Sequence, residues 1–516
     1  MKRTMCTIRV IVITAILGVT VMAETSLDWY INYGWYGGKW GRDLVTQEIT
    51  KKTGISCNYI VPKGNATEQL YAMMALDTLP DMITLGWSES LVASLIKGKF
   101  VYSYDELAQK YDPDFMNVAN KEKLRWYRQS DGKTYGYPNA SWSIEDLKSA
   151  KTASSNYSFL VRKDIYKAIG EIDMTTPEGF LNALQTAKEK FPLVDGNPLI
   201  PVGFAEFGST DSSFGTYLQD LLGIPYEKNG KIIDRRTDPE YIKWLKVFRK
   251  ANSMGLISGD IFTDKIKQIK NKMADTRYFA IFHPWSDAQS PLTKVYNNLP
   301  DKMYISVLGP ANSNKELKPI YPGPIISGWT LTFITKNCKD PEGALKLAKF
   351  MISEEGQKLT YLGKRGVTYD MIDGKEQWLP SMVNLRSSNK KEFDRKYGIE
   401  YMNWMFMDNA MQDRLWTQPN TGPLAQVKEF TFDKLESLIK YDAMDPMPVE
   451  REGMILRKIN TKWNALIPQL LKAKTEVEFN LLYNQYLQDT KKLGIDRLNT
   501  YRTKKMHKNM KKLGLE

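Results

Sequence analysis

Short apolar runs alternate with capped helical segments from Leu27 onward, and this alternation limits the possible folds more than any other feature. Leu27 to Ile31 is short, apolar and aromatic, which predicts a buried strand. Trp40 to Thr53 has a helical pattern closed by Gly54, and Ile55 to Val61 reads as a second strand. Thr67 is placed to cap a helix reaching Leu76. Asp81 to Leu85 is a buried strand that ends at Gly86-Trp87, and Ser88 is placed to cap a helix ending at Lys97. Apolar strands separated by helices predict an α/β fold with a parallel sheet covered on both faces. Ligands of such sheets gather at the carboxyl ends of the strands.

The stretch WYINYGWYGGKW, Trp29 to Trp40, sits at the first of those ends. It carries Trp29, Tyr30, Tyr33, Trp35, Tyr36 and Trp40, broken by Gly34, Gly37 and Gly38. The glycines mark a loop that approaches something closely. Large flat side chains on such a loop form either a ligand surface or packing between parts of the fold. Trp87 falls just past the end of a later strand, in the position that Trp35 holds after the first.

A tight Asp131-Gly132 turn is followed by Tyr135 to Pro138, which proline keeps extended. The pattern then restarts with a strand at Phe159 to Arg162 and a helix from Lys163 to Gly170. A lobe boundary is expected between Tyr137 and Phe159. Thr176-Pro177-Glu178, Asp238-Pro239-Glu240 and Asp340-Pro341-Glu342 are helix starts, with cap, proline and acid each where the first turn favours it. Asn229-Gly230 marks a hairpin turn. Arg277 to Phe282 is a buried strand running into His283-Pro284-Trp285, Met303 to Leu308 is another, and Trp329 to Thr335 returns towards the first unit. From Phe393 the chain reads mostly helical, with aromatic-rich turns at Tyr401 to Phe406 and at Trp416.

Residues 1–23 have the form of an export signal: Lys2, Arg3 and Arg9, then an apolar run from Val10 to Thr20, then Val21-Met22-Ala23. That run is too short for a membrane span. No cysteine closes it, since Cys6 comes too early, so a lipid anchor is not supported. Beyond it stand only Cys57 and Cys338, either one disulfide or two buried thiols. The formal charge is +13, spread along the chain apart from a basic stretch at Lys491 to Lys512. That spread points away from nucleic acid, and the basic stretch reads as a solvated terminal helix.

The residues also exclude chemistry. With only His283 and His507, no zinc site built on several histidines is possible. No HExxH, GxSxG or GxxxxGK[ST] motif occurs. A glycosidase needs only a pair of carboxylates, and no local motif marks one.

Five segments now stand in order: TGISCNYIVPKGNATEQLYAMMALDTLPDMITLGW, DGKTYGYP, FLVRKDIYKAIGEIDMTTPEGFLNALQTAKEKFP, RYFAIFHPW and ITKNCKDPEGALKLAKFMISEEGQKLTYLGKRGVTYD. Together they resemble the family 1 extracellular solute-binding proteins of ABC importers, in the branch associated with saccharide uptake. The resemblance covers most of the chain from Leu27 to about Asp370, and the C-terminal third matches more loosely. It implies a two-lobe, periplasmic-binding-protein-like fold of type II. Each lobe would be a mainly parallel sheet flanked by helices, with a helical C-terminal third. Lobe one would hold 24–138 plus 326–375, and lobe two 139–325 plus 376–516.

The implied function is capture of a carbohydrate, an oligosaccharide, in the interlobe cleft and its delivery to ABC permease subunits. The implied protein is a monomer without cofactor or metal, exported to the periplasm or outer cell surface. Members of the branch are usually lipoproteins, and the missing anchor cysteine departs from that. A pyranose has flat C–H faces that Trp or Tyr can bury. The residues expected to meet it are Trp35, Tyr36, Trp87 and Trp329 from lobe one and Trp142 and Trp285 from lobe two. Trp285 is carried by the family-like FHPW. Tyr137 is expected at the hinge or wall, and Asp287 and Asp43 as polar partners. The competing readings are a secreted carbohydrate-active enzyme with a carboxylate pair and a peptide-binding receptor on the same scaffold.

Overall fold

The computed structural model describes residues 25–207, 213–418 and 422–516. The expected export signal, residues 1–23, lies outside the described residues. The two larger sheets are built from β1 (Thr25–Ile31), β2 (Ile55–Ile60), β3 (Met82–Gly86), β4 (Tyr137–Pro138), β5 (Phe159–Arg162), β6 (Ile200–Phe204), β7 (Tyr278–Phe282), β8 (Tyr304–Ser306) and β9 (Thr330–Ile334). The first sheet has the order β2-β1-β3-β9-β4 and the second β8-β5-β7-β6.

The α/β two-lobe class holds, but the sheets are mixed rather than mainly parallel. β1 pairs in parallel with β2 and β3, whereas β9 is antiparallel to β3 and β4. In the second sheet β7 is parallel to β6, whereas β5 is antiparallel to both β7 and β8. The reason is connectivity. Helical crossovers within a lobe return the chain parallel, while strands entered from the other lobe, such as β9, arrive from the opposite end.

Local signals place the elements. Thr176, Asp238 and Asp340 each accept a first-turn amide, from Gly179, Glu240 and Gly343 at 3.1, 2.9 and 2.8 Å. Asn229 and Gly230, both at positive φ, turn the Glu227–Lys228 strand into Lys231–Ile232. Helix starts shift by a few residues: the first helix begins at Leu44, capped by Asp43, rather than at Trp40; Asn65 rather than Thr67 caps Ala66–Ala75; and Glu89 rather than Ser88 precedes Ser90–Lys97, without a side-chain cap bond.

Side chains alternate along β1, with Leu27, Trp29 and Ile31 in one cluster and Tyr30 in another, so both faces are covered. The first cluster also takes Trp378, Phe393, Tyr397, Trp404, Phe406 and Trp416. The expected placing of residues from 376 onward in the second lobe is therefore corrected for this segment. Its aromatic rings bury against β1 and its neighbours. The helices Arg451–Lys472 and Glu476–Leu493 do pack with the second sheet, through Trp463, Ile467, Phe479 and Tyr483.

The terminal helix Ile495–Leu513 is not wholly solvated. Leu498 and Met506 are buried, and the Lys512 amine donates to the Trp126 carbonyl at 2.5 Å. Burial pushes that amine down to about 8, with Lys508 and Lys505 adding to the shift. Cys57 and Cys338 are both buried free thiols, and burial pushes Cys338 up to about 12. Among the described residues no helix is long and apolar enough to cross a membrane.

Where the chain passes between sheets, separate segments bond to one another. The amide of Ala140 donates to Met407 at 2.7 Å, and that of Trp142 to Ile325 at 3.0 Å. Gly328 sits at φ +65°, and a Cβ there would come within 2.1 Å of the Asn139 carbonyl. Only glycine permits this approach.

Candidate functional site

Parallel pairing of β1 with β3 brings their carboxyl ends to one edge of the first sheet. β9 runs the other way, with Thr330 opposite Gly86, so Trp329 enters at the same edge. β4 is antiparallel to β9 and delivers Asn139 there. The loop after β1 supplies Tyr33 and Trp35, and the segment Glu400–Phe406 supplies Trp404.

These rings form one platform. Trp329 lies on Trp404 with centroids 4.4 Å apart. Trp35 is 6.0 Å from Trp329 with planes 6° apart, and 5.9 Å from Trp404. Tyr33 contacts all three at 5.3–5.6 Å. Trp404 is buried, whereas Trp35 is 63% and Trp329 37% exposed. The arrangement therefore offers two indoles on a buried base. Such faces suit a flat apolar surface that also carries polar groups.

Buried hydrogen bonds hold the platform in place. Asn139 is fully buried, and its side chain donates to the Trp404 carbonyl at 2.8 Å and accepts the Thr330 amide at 2.8 Å. Its own carbonyl accepts the Trp329 amide at 3.2 Å, so one side chain and its backbone tie both indole-bearing segments together. Below, the Trp29 indole donates to Thr84, which bonds Thr332 at 2.8 Å. Glu89 accepts the Gly86 amide at 2.7 Å and the Asn32 side chain at 2.8 Å. Burial raises the Glu89 carboxyl above its ordinary value against those two bonds, and burial and then Glu89 raise the Tyr33 phenol.

A family model described as bacterial extracellular solute-binding protein matches residues 36–358. The chain belongs to this family. A curated relative of the solute-binding protein, Lipoprotein LipO of Bacillus subtilis (strain 168), is 26% identical over 331 residues, 61% of this chain. The chain spans 61% of the length of that relative. Among solved structures, the FusA substrate-binding protein of an S. pneumoniae ABC transporter, in complex with kestose, has a TM-score of 0.69 at 16% identity. An HMO-binding, ABC-transporter-associated solute-binding protein from Bifidobacterium longum infantis has a TM-score of 0.68 at 15% identity. Each likeness covers 94% of this chain and 99% of the other. At these identities they show the fold.

The expected site residues of the solute-binding protein separate into groups. Trp35 and Trp329 share the platform. Trp87 stands beside it, half-buried, its amide donating to the Trp329 carbonyl at 3.3 Å. Three residues are corrected from ligand contact to packing. Tyr36 is buried, with its hydroxyl donating to the Met402 carbonyl at 2.7 Å. Tyr137 is buried among Tyr104, Phe115 and Phe406 and accepts the Asn120 amide. Trp142 is buried against Ala153 and Ala410 at the junction between sheets. Asp43 is corrected likewise to a buried helix cap, accepting the Thr46 amide at 2.9 Å.

On the second sheet's side, Trp285 follows β7, half-buried, with its indole donating to the Ser155 carbonyl at 2.6 Å. Asp287 is exposed two residues on. Trp404 was not among the expected contacts. Its only sequence signal is the aromatic richness of Tyr401 to Phe406, which says nothing about which rings it meets. Among the described residues no group of three or more His, Cys, Asp or Glu is placed to hold a metal ion.

Proposed function

We infer that the protein captures an oligosaccharide between its two lobes and delivers it to the permease subunits of an ABC importer. The observation that carries this reading is the pair of exposed indoles, Trp35 and Trp329, braced on buried Trp404 at the sheet edge. Each indole face can bury one sugar ring, and two adjacent faces favour more than one ring. Proteins of the same fold are described as bound to kestose or as HMO-binding, which supports a saccharide.

The first lobe takes β1–β4 and β9 with residues 378–416, and the second takes β5–β8 with the helices Arg451–Lys472 and Glu476–Leu493. Rotation about the few segments that join them closes the cleft. A ligand that touches both lobes binds the closed state better and draws the population towards it. The protein works outside the cytoplasm as a monomer, without turnover and without nucleic acid.

The test is calorimetry and thermal shift with mono- and oligosaccharides and with peptides, followed by analysis of the recovered ligand. Saturable binding near micromolar, about −8 kcal/mol, with the sugar returned intact, is expected. Sugar cleavage abolished by changing one Asp or Glu would overturn the reading in favour of an enzyme. Stabilisation by peptides and none by sugars would overturn it in favour of a peptide receptor.

A further inference from the structure

The second sheet's side of the cleft carries a cation that the platform does not explain. The helix Ala425–Phe432 is anchored to that sheet: Val427 is in its core, and the Gln426 side chain bonds both the amide and the carbonyl of Ser306 at 2.7 and 3.0 Å. Thr431 on the same helix accepts the Ser155 amide at 3.2 Å, and the Ser155 carbonyl holds the Trp285 indole at 2.6 Å. This chain of bonds fixes Trp285 beside Lys428, whose amine lies 5.8 Å from the ring centroid.

Lys428 is only partly exposed, and among the described residues its amine has no ion pair and no hydrogen bond. The charged groups around it are already engaged or alike. Arg386, packed with the first lobe, pairs with Glu400 at 2.6 Å. Asp413 accepts the backbone amides of Lys151 and Thr152 at 2.5 and 2.9 Å. Burial pushes the Lys428 ammonium below the usual lysine value, and the Arg386 guanidinium adds to that against Asp413 and Glu400. An ammonium partly withdrawn from water and bonded to no carboxylate is held at a cost, because its lost hydration is only partly replaced. The cost disappears when an incoming anion supplies the missing partner. At the platform the local charge has the opposite sign, since Glu89 lies beneath Tyr33. An acidic ligand would therefore lie with its neutral ring on the indoles and its charge at Lys428.

We propose that Lys428, seated on the Trp285 ring, is a subsite for the carboxylate of a uronic acid, so that the oligosaccharide captured here is an acidic one. This rests on the saccharide reading above and narrows it. Lys428 donates to the sugar carboxylate, and Trp285 covers the apolar face of the same ring.

The probes are uronate oligosaccharides (galacturonate, mannuronate and glucuronate types), each compared by calorimetry with its carboxyl-reduced, neutral counterpart. An acidic member is expected to bind at least about tenfold more tightly than its reduced partner, a difference of about 1.4 kcal/mol. Lys428→Met is expected to abolish that preference while leaving binding of the neutral partner, and Lys428→Arg to keep it. Ligand-free Lys428→Met should unfold at the same temperature as the parent or higher, because it removes an unpaired cation. A neutral sugar bound as tightly as its acidic form, or a preference that survives Lys428→Met, overturns this inference and leaves the saccharide reading standing. A lower unfolding temperature for ligand-free Lys428→Met shows the amine already paired and also overturns it. Binding of no sugar of either kind overturns both.

Discussion

In the second lobe Phe159, Phe180, Phe204, Phe214, Phe248 and Phe282 meet ring to ring, with Phe204 and Phe214 centroids 4.4 Å apart and Phe159 and Phe282 4.8 Å apart. In the first lobe Tyr33, Trp35, Trp329 and Trp404 meet at similar spacings, down to 4.4 Å for Trp329 and Trp404. The two clusters are equally dense and differ in exposure. Every phenylalanine of the second is at most 1% exposed, while two indoles of the first open to solvent. They also differ in chemistry, since Phe has no polar group, whereas Trp and Tyr carry one at the edge of an apolar face. Ring density therefore does not mark a site. The proposed site rests instead on braced rings that keep an open face.

The sharpest way to break the comparison is Phe282→Ala. Removing a fully buried ring from the second cluster should cost about 3–5 kcal/mol, measured by urea unfolding. Loss of sugar affinity with stability intact would mean that this cluster is more than core.

Asn139→Ala comes next. It leaves the Trp404 carbonyl and the Thr330 amide without their buried partner. A cost of about 1–3 kcal/mol in stability is expected, together with weaker sugar binding as Trp329 and Trp404 lose their common support. Unchanged affinity in the folded variant would show that the platform does not depend on that brace.

Trp35→Ala should weaken sugar binding about tenfold, near 1.4 kcal/mol, while stability changes by no more than about 0.5 kcal/mol. Equal affinity in variant and parent would remove this loop from the site.

The smallest effect concerns pH. Burial holds the Glu89 carboxyl above its ordinary value, so the native state keeps that proton longer than the unfolded chain does. The stability due to Glu89 is therefore fully present below the ordinary carboxylate value. It falls as pH rises from that value to the raised one, and is flat beyond. Glu89→Gln should remove this slope from the stability–pH curve, read as the difference from the parent. A slope of opposite sign would mean that the bonds from Gly86 and Asn32 outweigh burial.

Much of the fold was legible because its signals act over a few residues. The caps at Thr176, Asp238 and Asp340, the Asn229-Gly230 turn and the apolar runs at Leu27, Asp81 and Phe159 each depend on neighbours within one turn or one strand. Asn65 displaced Thr67 as a cap because its side chain reaches the amides of both Thr67 and Glu68. That choice lies within a two-residue shift, the usual uncertainty of a helix boundary.

The site was only half legible. A strand end followed by glycines and indoles pointed to the loop after β1, and Trp35 stands at the first sheet's edge; Trp329 reaches the same edge from the start of β9, and it was expected there only from the family resemblance. The same signal could not separate Trp35 from its neighbour Tyr36, which turns inward to bond the Met402 carbonyl across 366 positions of sequence. Nor could it bring Trp404 under Trp329, or set Lys428 on Trp285 without an anion. The amino-acid sequence alone determined the elements, their order and the end of each strand where aromatic residues collect, because period, capping and turn chemistry are local. Which rings face solvent, which become core and which charge is left unpaired was decided by the tertiary structure. Those properties depend on what distant segments bury against one another, and no local pattern carries that information.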